Sequence, residues 1–409
     1  MDALTIIYLA YAFIALYFLF LFCLVYGQNR KQMLYYPKPN KTYSLSIVVP
    51  CYNEEETIEA TVKALLASDY NGLKKIFVVD DCSTDKSYSI IKNMAGKYEN
   101  VVALQTPKNM GRAANAKNYG AKFAETELIG FTDADSFPEK DAISKAVGFF
   151  NNEEVAAVTG LILAKNRKKT MEKLQSLEYK VIAFTRKLLG FLDAIYVTPG
   201  PMAIYRKKAF VAVGGFDEDN VTEDIEITWN LVSRGYKVEM SMASRILTVV
   251  PDKFGQWYRQ RIRWNIGGIQ TIKKYRNIFM KKGSLGSFIL PYFVLSWMIG
   301  IVGLAILAYN TSRSIFVDYL STLYSVEAQT AILNLREINL TPSILTFYGI
   351  VLFILGLSFT IFVLSFLKEK EYKKEGLLTL AGYTIIYLSI YPVILIASMY
   401  NYLKGKHSW

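Results

Sequence analysis

The chain has 409 residues, 52% hydrophobic and 20% charged, with a formal net charge of +12 at pH 7. It is long enough for more than one domain and more apolar than an ordinary soluble protein of its size. One histidine, His407, and three cysteines, Cys23, Cys51 and Cys82, argue against histidine acid–base chemistry, a His-ligated metal centre and a disulfide framework.

Four stretches carry no charge: 3–29, 283–312, 338–367 and 376–403. Each exceeds the roughly 20 apolar residues that cross a hydrocarbon core. Four transmembrane helices are therefore expected, at 1–29 and near 286–309, 343–367 and 377–402, with an external loop at 313–337. A cleaved signal peptide is the weaker reading of the first stretch, because Asp2 precedes it, the apolar run is too long and no small-x-small cleavage site follows.

Basic residues set the orientation. Arg30 and Lys31 follow the first span, Lys273, Lys274, Arg276, Lys281 and Lys282 precede the second, and Lys368, Lys370, Lys373 and Lys374 separate the third from the fourth. The positive-inside rule puts these clusters, and residues 30–282, in the cytoplasm of a multi-pass plasma-membrane protein. Lys404 and Lys406 on the external tail lean the other way. Because the Lys and Arg residues gather beside the spans and along 165–187, anionic lipid headgroups are a simpler partner than nucleic acid.

In chain order, Ser46–Pro50 reads as a buried strand and 54–68 as a helix with Ile58, Val62, Leu65 and Leu66 on one face. Strands at 75–79, 101–104 and 128–131 alternate with helices at 83–96 and 112–124. This alternation predicts an α/β domain with a mainly parallel sheet covered by helices on both faces, and ligands beyond the carboxyl ends of the strands. Further on, 171–191 and 254–272 read as basic amphipathic helices with aromatic residues, the kind that lie in the headgroup plane. A core-packed helix with a solvated basic face is the alternative.

Several polar groups stand at those strand ends. Asp133 and Asp135 are one residue apart and suit a divalent cation shared with phosphate oxygens, which would neutralise a leaving diphosphate. Asp81 suits the imide N–H of a uracil base or, alternatively, a helix start. Arg112, at a helix N-terminus with Lys117 nearby, suits a diphosphate. In Thr222-Glu223-Asp224, Asp224 is the candidate general base for an acceptor hydroxyl. Glu226 is the alternative, but on a helix it points elsewhere; a plain capping turn is the bland reading. Arg263 can neutralise diphosphate charge and Trp264 can offer a face to a sugar ring, or both can be interfacial anchors.

Taken in order, 46–55, 78–85, Asp133-Ala134-Asp135, 199–206, Thr222-Glu223-Asp224 and Gln260-Arg261-Ile262-Arg263-Trp264 resemble the family-2 glycosyltransferases. Within that family the set is most similar to the membrane-integrated processive synthases of poly-N-acetylglucosamine, hyaluronan, chitin and cellulose. The resemblance covers about 44–272 and implies a GT-A-like fold. It implies that Tyr52, Glu54 and Asp81 hold uridine, and that Asp133 and Asp135 handle the diphosphate with Mg²⁺ or Mn²⁺, Asp135 being the stronger ligand. It further implies Asp224 as base, with Glu223 beside the acceptor, and Gln260, Arg263 and Trp264 bordering acceptor and diphosphate. Two positions depart from the pattern: Cys82 stands where glycine is usual, and Arg112 where lysine is common.

The expected activity is inverting transfer of a hexose or N-acetylhexosamine, with N-acetylglucosamine favoured, from a UDP-sugar to a growing polysaccharide, coupled to export. The alternative is a single transfer to a membrane lipid. The sequence leaves open a homo-oligomer or an accessory subunit. A transporter with a nucleotide-binding domain is disfavoured, because the spans are charge-free and unrepeated.

Overall fold

The structure, a computed structural model, describes residues 3–281, 283–329, 344–367 and 376–405. Chain order runs α1 (Ala3–Asn29), β1 (Leu45–Cys51), α2 (Ile58–Leu66), β2 (Leu73–Asp80), α3 (Ser87–Lys97), β3 (Val101–Gln105), α4 (Ala113–Ala121), β4 (Leu128–Phe131) and β5 (Ser136–Pro138). It continues with α5 (Ser144–Val147), β6 (Val155–Ala164), α6 (Thr170–Gly190), β7 (Ala203–Arg206), α7 (Lys207–Ala212), α8 (Glu223–Ser233), β8 (Lys237–Thr248) and α9 (Phe254–Tyr275). The apolar helices α10 (Leu290–Glu327), α11 (Ile344–Phe366), α12 (Leu377–Ala381) and α13 (Leu388–Leu403) follow.

The eight strands form one mixed sheet in the order β3-β2-β1-β4-β7-β6-β8-β5. β1 pairs in parallel with β2 and β4, and β2 with β3, so their carboxyl ends share one edge. β7 runs antiparallel between β4 and β6 and reverses the order at the middle of the sheet. The first strands form because alternate side chains are buried on opposite faces. Val48, Phe77 and Val79 enter one core, which also holds Phe131, Phe184, Tyr205 and Trp229. Leu45, Ile47, Val49, Ile76 and Val78 enter the other, with Ile58, Val62 and Leu65 of α2.

Two sequence expectations are corrected. Part of the basic character of α6 and α9 turns inward: Lys180, Arg186 and Lys187 on α6 and Arg261 on α9 are buried, while Arg259 on α9 is exposed. α6 is sandwiched between β6 and β8 on one side and α1, α11 and α12 on the other, while α9 lies against α8 and α13. Charged groups buried on α6 therefore need partners inside the protein, as Lys187 has by donating to the Met240 carbonyl oxygen at 2.9 Å.

The second correction concerns the expected external loop. α10 continues helically to Glu327, across the first part of 313–337; residues 330–337 lie outside the described residues. Among the described residues three helices are long and apolar enough to cross a membrane, Thr5–Gln32, Leu285–Glu327 and Leu378–Leu403, and Ile350–Phe366 of α11 is a shorter apolar helix. The 43 residues of Leu285–Glu327 extend about 65 Å, roughly twice a hydrocarbon core. Arg313, Asp318 and Glu327 mark the half that outruns it.

Candidate active site

The carboxyl ends of β1 and β2 are tied together by short polar bonds. Asn53 adopts a left-handed backbone (φ 55°), and its Oδ1 accepts the Thr84 amide at 2.8 Å. Ser83 Oγ accepts the Asn53 amide at 3.0 Å, Ser87 Oγ accepts the Glu54 amide at 2.8 Å, and Asp85 Oδ2 accepts the Glu55 amide at 3.1 Å. Tyr52 stays exposed at the rim. Cys82 is also left-handed (φ 60°). That is the physical reason for the glycine that the resembled family usually carries there.

Asp81 does not start a helix. Both its oxygens accept the Met110 amide, at 3.0 and 3.1 Å, and Oδ1 also accepts Thr106 Oγ1 at 2.7 Å. It anchors the loop after β3, while Asp80 Oδ2 accepts the Ser83 amide at 3.2 Å. Asp80 Oδ1 is one of the buried acceptors without a hydrogen-bond partner among the described residues. Arg112 is spent on the Glu218 carbonyl oxygen, at 2.8 Å.

Beyond β4, Asp133 and Asp135 share their surroundings with Glu54. Burial, then the charges of Asp133 and Glu54, push the Asp135 carboxyl up to about 7, against weak bonds from Ser136 and Thr248. Burial, with Asp133 contributing, also raises Glu54. Gly200 makes this crowding sterically feasible, since a Cβ there would stand 2.3 Å from Asp133 Oδ2. The 199–201 turn closes on the carboxylate only as glycine.

The second carboxylate pair sits at the start of α8. Thr222 makes no side-chain cap. Instead it presses on α9 where a Cβ at Gly267 would come within 1.8 Å of its Oγ1. Gln270 Oε1 accepts the Val221 amide at 2.9 Å, and Asn220 Nδ2 donates to Thr271 Oγ1 at 3.0 Å. α9 thus fixes the turn that aims Glu223 and Asp224.

Lys117, buried on α4, joins the two pairs: its Nζ lies 2.8 Å from Glu223 Oε1 and 3.4 Å from Asp133 Oδ1. Burial opposes the Lys117 charge, but Glu223 and Asp133 outweigh it and hold the ammonium charged. Burial likewise opposes the Glu223 charge, yet Lys117 keeps that carboxyl below its usual range. Asp224 moves the other way, pushed up to about 7 by burial and then by Glu223. Glu226 faces away, accepting Lys274 at 2.7 Å and Tyr275 at 2.9 Å, which leaves Asp224 as the group whose proton affinity fits a base near neutrality.

On α9, Arg263 contributes to holding Glu223 ionised. Gln260 Oε1 accepts Arg261 Nη1 at 2.8 Å, and the Arg261 guanidinium lies 3.9 Å from the Trp264 ring centre. One face of Trp264 is therefore taken. The structure brings together Asp133, Glu223, Asp224, Lys117 and Arg263, and separately Glu54 with Asp133 and Asp135; Arg112 is turned to another partner. The sequence pointed to Lys117 only as a neighbour of a phosphate. Arg261 and Arg186 it read as headgroup contacts, and Glu178 carried no signal there.

A mixed sheet with acidic groups at parallel strand ends and a second carboxylate at a helix start defines a GT-A-like fold. The mannosyltransferase PcManGT from Pyrobaculum calidifontis, solved in complex with GDP-Man and Mn²⁺, shares this fold with a TM-score of 0.61 at 20% identity, over 97% of this chain and 99% of that one. Residues 46–214 match the family described as Glycosyl transferase family 2, and the chain carries a glycosyltransferase domain of that family. The poly-beta-1,6-N-acetyl-D-glucosamine synthase of Staphylococcus aureus is 29% identical over 260 residues, 63% of this chain and 62% of that one. The synthase of the same name from Staphylococcus epidermidis is 27% identical over 370 residues, 88% and 84% of the two chains. The match to the S. aureus synthase thus spans less than two thirds of its length.

Proposed function

We propose that the protein transfers a hexose or N-acetylhexosamine, with N-acetylglucosamine favoured, from a UDP-sugar with inversion to the end of a polysaccharide, and that export accompanies synthesis. The observation that carries this reading is the divided pair at α8. Lys117 keeps Glu223 ionised, while Asp224 is free to take a proton from an acceptor hydroxyl. Similarity to the two poly-N-acetylglucosamine synthases supports the sugar and the acceptor.

Asp133 and Asp135 fit a divalent cation, Mg²⁺ or Mn²⁺. Three mutually repelling carboxylates, counting Glu54, leave negative charge that such an ion would relieve. Among the described residues no group of three Asp, Glu, His or Cys side chains is arranged to hold a metal by itself. The ion therefore depends on diphosphate oxygens to complete its shell, and when bound it would stabilise the leaving diphosphate. Tyr52, Glu54 and Asp81 border the nucleoside, Arg263 the diphosphate, and Gln260, Glu223 and Trp264 the acceptor. The catalytic domain is placed on the cytoplasmic side, with the N-terminus outside.

A lipid acceptor is the second reading, and one observation favours it. Arg186 on α6 is 6% exposed, its Nε has no hydrogen-bond partner among the described residues, and it lies within electrostatic reach of Asp224 and Tyr196. Tyr196 packs against Phe293 of α10 at 4.7 Å between ring centres. A buried cation between the base and the apolar helices suits an acidic lipid head. Incubating purified protein with UDP-N-acetylglucosamine and Mn²⁺, then separating polymer from organic-extractable product, tests both. A water-soluble polymer supports the first reading, and a single-sugar glycolipid overturns it in favour of the second.

A further inference from the structure

Arg261 is 1% exposed, one of the largest fully buried side chains in the protein. It sits where three elements meet. Its Nη2 lies 2.5 Å from Glu178 Oε2 on α6, its Nε donates to the Tyr391 hydroxyl on α13 at 2.9 Å, and its Nη1 donates to Gln260 Oε1 at 2.8 Å. Glu178 is itself buried and also accepts the hydroxyls of Tyr387, at 2.6 Å, and Tyr391. The guanidinium plane covers one face of Trp264.

Stability alone does not account for such a cluster. Burying two charges costs about what their attraction returns, and apolar residues of similar volume hold helices together as well or better. Apolar residues could not fix directions. A guanidinium only donates, so Gln260 has to turn its oxygen toward Arg261 and is left with both Nε2 hydrogens for another acceptor. With Arg261 over one side of Trp264, a ring can stack only on the other.

We propose that Glu178, Arg261 and Tyr391 are positioning residues that set Gln260 and Trp264 for a neutral carbohydrate end from the last apolar helix. The sugar stacks on the uncovered face of Trp264, and a hydroxyl or ring oxygen accepts from Gln260 Nε2. Acceptor geometry thereby depends on the apolar bundle. This rests on the reading of Trp264 as an acceptor residue.

The test uses full-length enzyme in nanodiscs labelled with 5-fluorotryptophan, the Trp264 resonance being assigned by its loss in Trp264→Phe. The variants are Tyr391→Phe, which keeps the ring, and the double variant Glu178→Met with Arg261→Met, which removes both charges together. The Trp264 fluorine resonance should move in both. The acceptor KM should rise about tenfold, or the product shorten, while donor affinity and hydrolysis to water change less than about twofold, the pattern of lost orientation. An unmoved resonance in folded variants overturns the positioning proposal. A moved resonance with unchanged acceptor KM and product length overturns instead the assignment of Trp264 to the acceptor.

Discussion

Two carboxylate pairs stand within reach of one lysine, and they solve the same electrostatic problem in opposite ways. Asp133 and Asp135 stand with Glu54 beside them, and Lys117 lies 3.4 Å from Asp133 Oδ1. Burial, then the charges of Asp133 and Glu54, raise the proton affinity of Asp135. Glu223 and Asp224 have Lys117 at 2.8 Å from Glu223 Oε1, so one carboxylate is neutralised and its neighbour takes up proton affinity. A crowded group of carboxylates is suited to taking a cation brought with the donor; a pair with one member neutralised is suited to proton transfer.

The largest test of this contrast is chelation. Exhaustive EDTA treatment should abolish transfer, and Mn²⁺ or Mg²⁺ should restore it, because such an ion would relieve the repulsion among Asp133, Asp135 and Glu54. Full activity after chelation would mean that Lys117 serves both pairs and the Asp133 site needs no ion.

Next in size is the base. Asp224→Asn should lower turnover by about 10²–10⁴-fold with UDP affinity nearly unchanged, the usual worth of a positioned proton acceptor. Calorimetric UDP binding beside initial rates decides it, and more than half of wild-type activity in the variant would remove Asp224 from the role.

Removing the shared cation should cost folding as well as activity. The Lys117 side chain is 3% exposed, and breaking a buried ion pair from one side leaves an uncompensated charge worth about 3–5 kcal/mol. Lys117→Met should therefore unfold well below wild type in a detergent thermal scan. An unchanged unfolding temperature would show that Glu223 finds another partner.

Much of the strand-end carboxylate site could be read from sequence because its signals are local. In β1 and β2 every second apolar residue enters one core or the other, so unbroken apolar runs ending in Asp80 or before Asp133 identify both strand and site. The region around α6 and α9 depends on burial that sequence does not encode locally. Lys180, Arg186 and Lys187 read as part of a headgroup-facing helix, yet they turn inward because α6 is covered by β6 and β8 on one side and by apolar helices on the other. The charge-free stretch ends before Arg313, and a span near 286–309 is expected there. α10 continues past Arg313 because no glycine or proline occurs between Leu304 and Gln329. Thr222 looked like a helix cap, and only the close approach at Gly267 shows that it is a contact to α9.

The smallest expected effect is also the most specific to the divided pair. kcat/KM for the donor reports groups on the free enzyme. Asp224 raised to about 7 is a protonated, inactive base below that pH and an ionised, competent one above it, so activity should rise on going from acid to neutral and then level. The acid limb should lose about tenfold per pH unit. Because Glu223 raises the Asp224 pKa and Lys117 lowers it, Glu223→Gln should shift the limb to lower pH and Lys117→Met to higher pH. The opposite signs matter more than the size. A general loss of structure would lower rates without moving the limb in either direction, and a limb that moved the same way in both variants would mean that the group titrating in it is not Asp224.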